Sequence, residues 1–205
     1  MKIKLSESQK KKIKSSQDLF EIMQKILLRE SKTDRNKEHL WTISLDTANR
    51  IINIELVSLG TANRTLVEPT DVFSIPLQKQ AVKLIIVHNH PSGELEPSEA
   101  DKDITDRLIQ VGRITNLILI DHIIISEKSH YSFNDEGLIE ELGMSLKYVP
   151  PYIIKQRFEK AAKEEGLKEK ATEMAKAMKA KGYPIEEIVE LTGLTKTTIK
   201  KLKVD

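Results

Sequence analysis

Two imidazoles, a hydroxyl and a carboxylate fall within fourteen residues of this chain: His88, His90, Ser98 and Asp101. Two neutral imidazoles and one carboxylate suit a single divalent cation. With only three protein ligands one position stays open for water, which is the pattern of a catalytic rather than a structural zinc site. The positioning elements can be read around these residues. Leu84-Ile85-Ile86-Val87 is a short apolar run that gives way to polar residues and then to Pro91-Ser92-Gly93, so it reads as a buried strand ending in a turn. Residues two apart on a strand share a face, which places the Cα atoms of His88 and His90 roughly 7 Å apart with both rings on one side. Asn89 then points to the other side. Ser98 reads as the N-cap of a helix whose apolar stripe is Ile104, Leu108 and Val111, with Asp101 in its first turn on the side of the cap. The same Ser-x-x-Asp spacing is also a capping pattern that needs no metal. The conjunction of the histidine pair, the turn, the hydroxyl and the acid favours the metal site. The adjacent letters His88-Asn89-His90 are not those of an HNH nuclease, whose three residues are spread along a ββα unit.

The spacing His88-x-His90, seven residues, Ser98, two residues, Asp101 resembles the signature of JAMM (MPN+/JAB) metalloproteases. The fuller string His88-Asn89-His90-Pro91-Ser92-Gly93 with Pro97-Ser98 is similar to the RadC branch of that group. The resemblance takes in Leu45 to Arg50, Gly60-Thr61 and Asp121 to Ser126, and so covers approximately residues 14 to 140. The chain departs from it in lacking the N-terminal helix-hairpin-helix region of longer RadC proteins, and in carrying Thr70 where an arginine often follows Pro69. The resemblance implies an α/β fold of JAB/MPN type, similar in layout to cytidine deaminases, with a mixed β-sheet flanked by helices. It also implies one Zn2+ per chain held by His88, His90 and Asp101, and a metal-activated water that cleaves an amide bond of a polypeptide or small amide substrate.

In such proteins a glutamate on an earlier strand activates the water, and the resemblance puts that role on Glu55. Ile51 to Val57 is rich in β-branched residues and reads as a strand, in which one carboxylate among apolar neighbours needs an explanation. An ordinary solvent-facing position is the competing account, and Glu68 is the reserve candidate. Ser98 would donate a hydrogen bond to the oxyanion or the water. It is not expected to act as a nucleophile, because no separate base accompanies it. Asp121 and His122, a pair in RadC-like chains, are expected to be structural or to support the ligands from behind. His130 is expected at the surface.

Composition frames these readings. With 205 residues and 39% hydrophobic content the chain can bury one good-sized core and still carry a small appendage. The lack of cysteine removes disulfides, excludes the His/Cys/Cys zinc site of nucleobase deaminases and fits a reducing compartment. No apolar run approaches the ~20 residues of a membrane span and no signal-like segment follows Met1, so the expected location is the cytoplasm without membrane contact.

Three segments are expected: a frayed lysine-rich stretch 1–13, a hydrolase domain 14–149, and an all-helical tail 150–205. In the domain, a helix from Ser16 carries Leu19, Ile22, Met23, Ile26 and Leu27 on one face. Strands follow at Leu40 to Leu45 and Ile51 to Val57, and a helical crossover at Thr70 to Val82 is interrupted at Pro76. Leu117 to Ile120 and His122 to Ser126 form two strands or one bent strand. Pro150-Pro151 closes the domain.

Residues 151–205 hold 13 Lys+Arg against 9 Asp+Glu, a net of +4, so the basic excess of the chain belongs to the tail. Phe158 to Ala180 reads as one or two helices around Gly166, and another helix starts at Gly182-Tyr183-Pro184. Thr192-Gly193-Leu194 is a turn, and Thr195 caps a last helix with Ile199 and Leu202 inside. This arrangement resembles a helix-turn-helix, and is similar to the C-terminal appendage of some transposase-like nuclease families. Lys196, Thr197, Thr198, Lys200 and Lys201 are its candidate DNA contacts. A net of +4 is modest and the aromatic and arginine density of a strong nucleic-acid binder is missing, so a helical hairpin for self-association, making a homo-oligomer, is the leading reading of the tail and DNA contact the alternative. The two functional classes are therefore a metal-dependent amide hydrolase and a DNA-associated repair or interaction protein whose metal site is structural or vestigial.

Overall fold

The computed structural model describes residues 12–60 and 67–203. Five strands form one mixed sheet in the order β2-β1-β3-β4-β5. They are β1 (Glu38–Leu45), β2 (Ile51–Gly60), β3 (Lys83–Asn89), β4 (Ile118–Ile125) and β5 (His130–Ser132). β1 and β2 are an antiparallel hairpin, β1 pairs antiparallel with β3, and β3 and β4 run parallel. A parallel pair needs a crossover, and the helix α4 (Glu99–Thr115) supplies it. The mixed α/β architecture with helices flanking the sheet is the one expected from the sequence.

Each face of the sheet is covered, so β3 alternates between two cores. Ile85 and Val87 pack with Trp41, Ile43 and the helix α1 (Ser16–Leu27). Leu84 and Ile86 pack on the other face with Leu40, the helix α3 (Pro69–Gln78) and Leu108 of α4. A strand buried on both faces reads as a continuous apolar run, which is why Leu84 to Val87 shows no polar alternation. His88 follows on the α4 face and Asn89 on the α1 face.

Several boundaries differ from expectation for local reasons. Of the stretch 1–13, residues 1–11 lie outside the described residues, but Lys12 and Ile13 are not frayed. Ile13 is buried, and its N–H donates to the Asn49 carbonyl at 2.9 Å. Pro76 does not interrupt α3, which runs through it to Gln78 with Lys79 as its C-cap; Gln80 beyond has φ +54°. Of the two arrangements expected for Leu117 to Ser126, the structure has the single strand, β4, with a register shift opposite Leu84/Ile85. β2 runs on to Gly60, and Thr61 lies outside the described residues. A one-turn helix α2 (Lys32–Arg35), the short β5 and the helix α5 (Leu138–Met144) have no counterpart in the sequence reading.

The chain divides into two compact units, up to Tyr148 and from Val149 onward. The second holds α6 (Pro151–Ala180), α7 (Ile185–Thr192) and α8 (Lys196–Lys201). α6 is one continuous helix, and Gly166 lies within it without a break. Among the described residues no helix is long and apolar enough to cross a membrane.

Candidate metal centre

β3 and the start of α4 bring His88, His90 and Asp101 together, with one ligand atom from each lying within 4.8 Å of the others. His88 Nε2 is 2.8 Å from His90 Nε2 and 3.2 Å from Asp101 Oδ1. His90 Nε2 is 3.7 Å from Asp101 Oδ2. The turn after β3 makes this possible. The His90 N–H continues the ladder to the Ile125 carbonyl at 3.0 Å, and Gly93, at φ +83°, donates its N–H back to the His90 carbonyl at 3.0 Å. A residue with a Cβ pays strain at that φ, which accounts for glycine after Pro91-Ser92. The reversal brings the Glu94 carbonyl to 2.7 Å from His90 Nδ1.

The capping and ligand readings of Ser98-x-x-Asp101 are both realised. The Ser98 Oγ accepts the Asp101 N–H at 3.2 Å, and the Ser98 N–H donates to Asp101 Oδ2 at 2.8 Å, a complete capping box. Both of the bonds that Asp101 receives from Ser98 fall on Oδ2, the second from the Ser98 hydroxyl at 2.6 Å. Oδ1 is left facing His88. The helix cap therefore orients the carboxylate instead of competing for it.

A chain of buried hydrogen bonds sets the proton positions on the rings. The Thr105 hydroxyl donates to the Asp101 main-chain carbonyl, so its oxygen can only accept from His122 Nδ1, 2.6 Å away. Burial holds His122 well below the usual histidine range, so the ring is neutral and its Nε2 carries a lone pair. That lone pair accepts from His88 Nδ1 at 2.7 Å. His88 is likewise neutral, since burial pushes it down to about 4 against the pull of Asp101. Its Nε2 is thus bare and aimed at the cluster. Phe133 stacks on the His122 ring at 4.5 Å and fixes its plane. His90 follows the same logic on the solvent side: Nδ1 donates to the Glu94 carbonyl, and neutral His90 therefore presents Nε2 as a second lone pair.

Three electron-pair donors facing one point need a cation among them. Burial works against the Asp101 charge, but the nearby His90 and His88 rings and the hydrogen bonds from Ser98 together hold its carboxyl well below the usual range. The contact with Asp101 raises His90, partly offset by burial, so a proton on His90 is what can occupy the cluster when no metal does. The donor set of two imidazole nitrogens and one carboxylate oxygen fits a divalent transition ion.

Other sequence candidates lie elsewhere. Glu55 is not in the cluster. It stands on β2 opposite Thr42, which is opposite Ile86, so it shares the α4-side face with His88 from two strands away, roughly 10 Å across the sheet. It is half-buried, and its carboxylate makes no side-chain hydrogen bond among the described residues. Glu68 immediately precedes α3 and pairs with Arg107 at 3.2 Å. His130 is not a free surface residue: it is half-buried, stacked on Phe20 at 4.9 Å. Asp121 turns away from the ligands and accepts from Ser132 Oγ at 2.7 Å and the Asn134 N–H at 2.9 Å.

Two functional contributors were missed in the sequence. Thr105 lies one helical turn past Asp101, a spacing that could have flagged it. Asn89 anchors the strand end from behind, accepting the His39 N–H at 2.7 Å and donating to the Lys37 carbonyl at 3.0 Å.

Residues 13–138 match the family model described as RadC-like JAB domain. The chain is 43% identical over 129 residues to a UPF0758 protein of Pelodictyon phaeoclathratiforme, covering 63% of this chain and 56% of that one. It is 42% identical over 128 residues to a UPF0758 protein of Flavobacterium johnsoniae, covering 62% and 54%. With a UPF0758 protein of Methanosarcina mazei it shares 38% over 134 residues, covering 65% and 56%. It therefore spans a little over half the length of the curated relatives it matches. A sheet, crossover helix and ligand cluster built in this way, together with a family match over more than half of the sequence, lead to one conclusion: the chain belongs to the RadC-like JAB domain family.

Proposed function

We propose that this chain is a zinc-dependent hydrolase that cleaves an amide bond, peptide or isopeptide-like, in a polypeptide or small amide substrate, with one Zn2+ per chain. One observation carries the reading: the hydrogen bonds of Thr105, His122 and the Glu94 carbonyl turn His88 Nε2 and His90 Nε2, 2.8 Å apart, toward one point beside Asp101. His88, His90 and Asp101 would hold a zinc ion, which would supply a Lewis acid to lower the pKa of a water toward about 7 and to polarise the substrate carbonyl.

Glu55 takes the proton of the attacking water and returns it to the leaving amine. Its half-buried position on the ligand face of the sheet and its carboxylate's freedom from side-chain hydrogen bonds among the described residues support that role. Ser98 stabilises the oxyanion by turning its hydroxyl proton from Asp101 Oδ2 toward the substrate. The Ser98 N–H stays on that oxygen, so the helix cap survives the turn.

Elemental analysis of purified protein beside His88→Ala and Asp101→Ala tests the metal. About one zinc per chain in the wild type and its loss in both variants is the expected result. Glu55→Ala then keeps the zinc and loses amide hydrolysis. A wild-type protein that takes up no metal after zinc addition at neutral pH would refute the reading.

A further inference from the structure

The second unit has its own small core and a face that the metal centre does not use. Ala175 and Met178 at the end of α6, Ile188 of α7 and Ile199 of α8 are buried together, with Ile185, Val189, Leu194 and Leu202 packed around them. These three helices are joined tightly. Gly193 ends α7 at φ +68°, a left-handed turn that suits glycine, and Thr195 caps α8 by accepting the Thr198 N–H at 3.2 Å. Lys179 Nζ reaches across from α6 and donates to the carbonyls of Ile199, Lys200 and Leu202 at 3.1, 3.2 and 2.8 Å. It satisfies carbonyls that the end of a helix leaves without partners, and it pins α8 at a fixed attitude.

This packing decides what α8 shows to solvent. Ile199 points inward, so at 100° per residue Thr197 and Lys201 lie opposite it, four apart, with Lys200 beside them. All three are exposed, as is Lys203 beyond the helix. No acidic residue occurs from Leu191 to Val204. The apolar residues of α7 and α8 other than Leu191 are spent on the internal core, so little is left on this face for self-association or for insertion into a lipid surface. What remains is a hydroxyl between lysines on a six-residue helix, about 9 Å long, second in a helix-turn-helix. That is the size and chemistry of an element that enters a major groove about 12 Å wide.

We propose that α8 is a double-stranded DNA contact, with Thr197 toward the base edges and Lys200, Lys201 and Lys203 on phosphates. Lys196 is held back, because Glu186 of α7 takes its ammonium at 2.8 Å. The acids of α7, Glu186, Glu187 and Glu190, keep that helix off the phosphates, so the approach is led by α8 alone. The contact is independent of the metal centre.

The test uses the full chain and a fluorescent 30-base-pair duplex of mixed sequence, titrated by anisotropy between about 50 and 200 mM salt. Three phosphate contacts predict a slope of log K against log salt near −2.7. Lys200→Ala with Lys201→Ala reduces affinity by roughly tenfold or more at about 100 mM salt and brings the slope to about −1. Glu186→Gln frees Lys196, raises affinity and steepens the slope by about 0.9, a gain that misfolding cannot produce. His88→Ala binds the duplex as the wild type does. The proposal is overturned if no salt-dependent binding is seen, if the double variant binds as tightly as the wild type, or if Glu186→Gln gains nothing. Binding to anionic phospholipid vesicles through the same lysines, without binding to the duplex, also overturns it.

Discussion

Replacing Thr105 by Val removes one buried hydroxyl and tests the proton relay behind His88. Thr105 is fully buried and stands between the Asp101 carbonyl and His122. Without its oxygen the His122 Nδ1–H loses its acceptor inside the protein, at a cost of about 1–3 kcal/mol if the ring keeps its tautomer. The alternative is for His122 to move its proton to Nε2. That proton would then face His88 Nδ1 at 2.7 Å, and His88 would have to carry its own proton on Nε2, in the cluster. Either route weakens the ligand. Loss of an orienting partner behind a metal-bound histidine typically lowers affinity 10- to 100-fold, or about 1.4–2.8 kcal/mol. Guanidinium unfolding of the metal-free protein reads the first cost, and competition for Zn2+ against a chromophoric chelator reads the second. Thr105→Ser, which keeps the oxygen, restores zinc affinity toward the wild-type value. A Thr105→Val protein that is destabilised yet holds zinc as tightly as the wild type would show that the relay packs the fold without orienting His88.

Two further perturbations check the surroundings. Burial raises Asp121 from the ordinary 3.8 to about 6, despite the hydrogen bonds from Ser132 and Asn134. Between those values the folded protein binds the extra proton, so this group's contribution to stability is full below about 4 and is lost as pH rises through 6, by roughly 3 kcal/mol. Asp121→Asn should therefore gain on the wild type, in urea unfolding, between about pH 4.5 and 7.5; a constant difference over that window would refute the assignment. In Gly112→Ala the new Cβ would lie 2.6 Å from the Leu117 carbonyl oxygen, a backbone atom that has no easy escape. Helix propensity favours the change by about 1 kcal/mol, and the forced shift between α4 and β4 outweighs it, for a net loss of about 1–2 kcal/mol in thermal or urea unfolding. A variant more stable than the wild type would mean that the helix does not approach β4 so closely.

What the sequence made legible was whatever depends on neighbours along the chain. The strand before His88, the turn at Gly93, the cap at Ser98 and the cap at Thr195 are local, and periodicity or turn chemistry reveals them. The His122 contact with His88 depends on the parallel register of β3 and β4, which places Ile86 opposite His122, and no local pattern encodes a register across a helical crossover. The letters alone predict a break at Pro76 and leave the long tail helix as one piece or two around Gly166, because what packs on a helix and holds it together is not visible in them. Glu55 could be assigned to the ligand face only once the pairing through Thr42 was known.

The end of β3 sends His88 to one face and Asn89 to the other, and both are tied down there. This makes the centre unusually sensitive to length. A single residue inserted between Val87 and His88 would not shift the histidine slightly. It would turn the imidazole into the α1 core, aim the amide at the cluster and break the bonds that Asn89 makes to His39 and Lys37. Substitutions at this strand can therefore erode the site by degrees, whereas insertions and deletions can only keep it or abolish it. Length variation among homologues should consequently gather before Lys83, and be missing between Leu84 and Asp101.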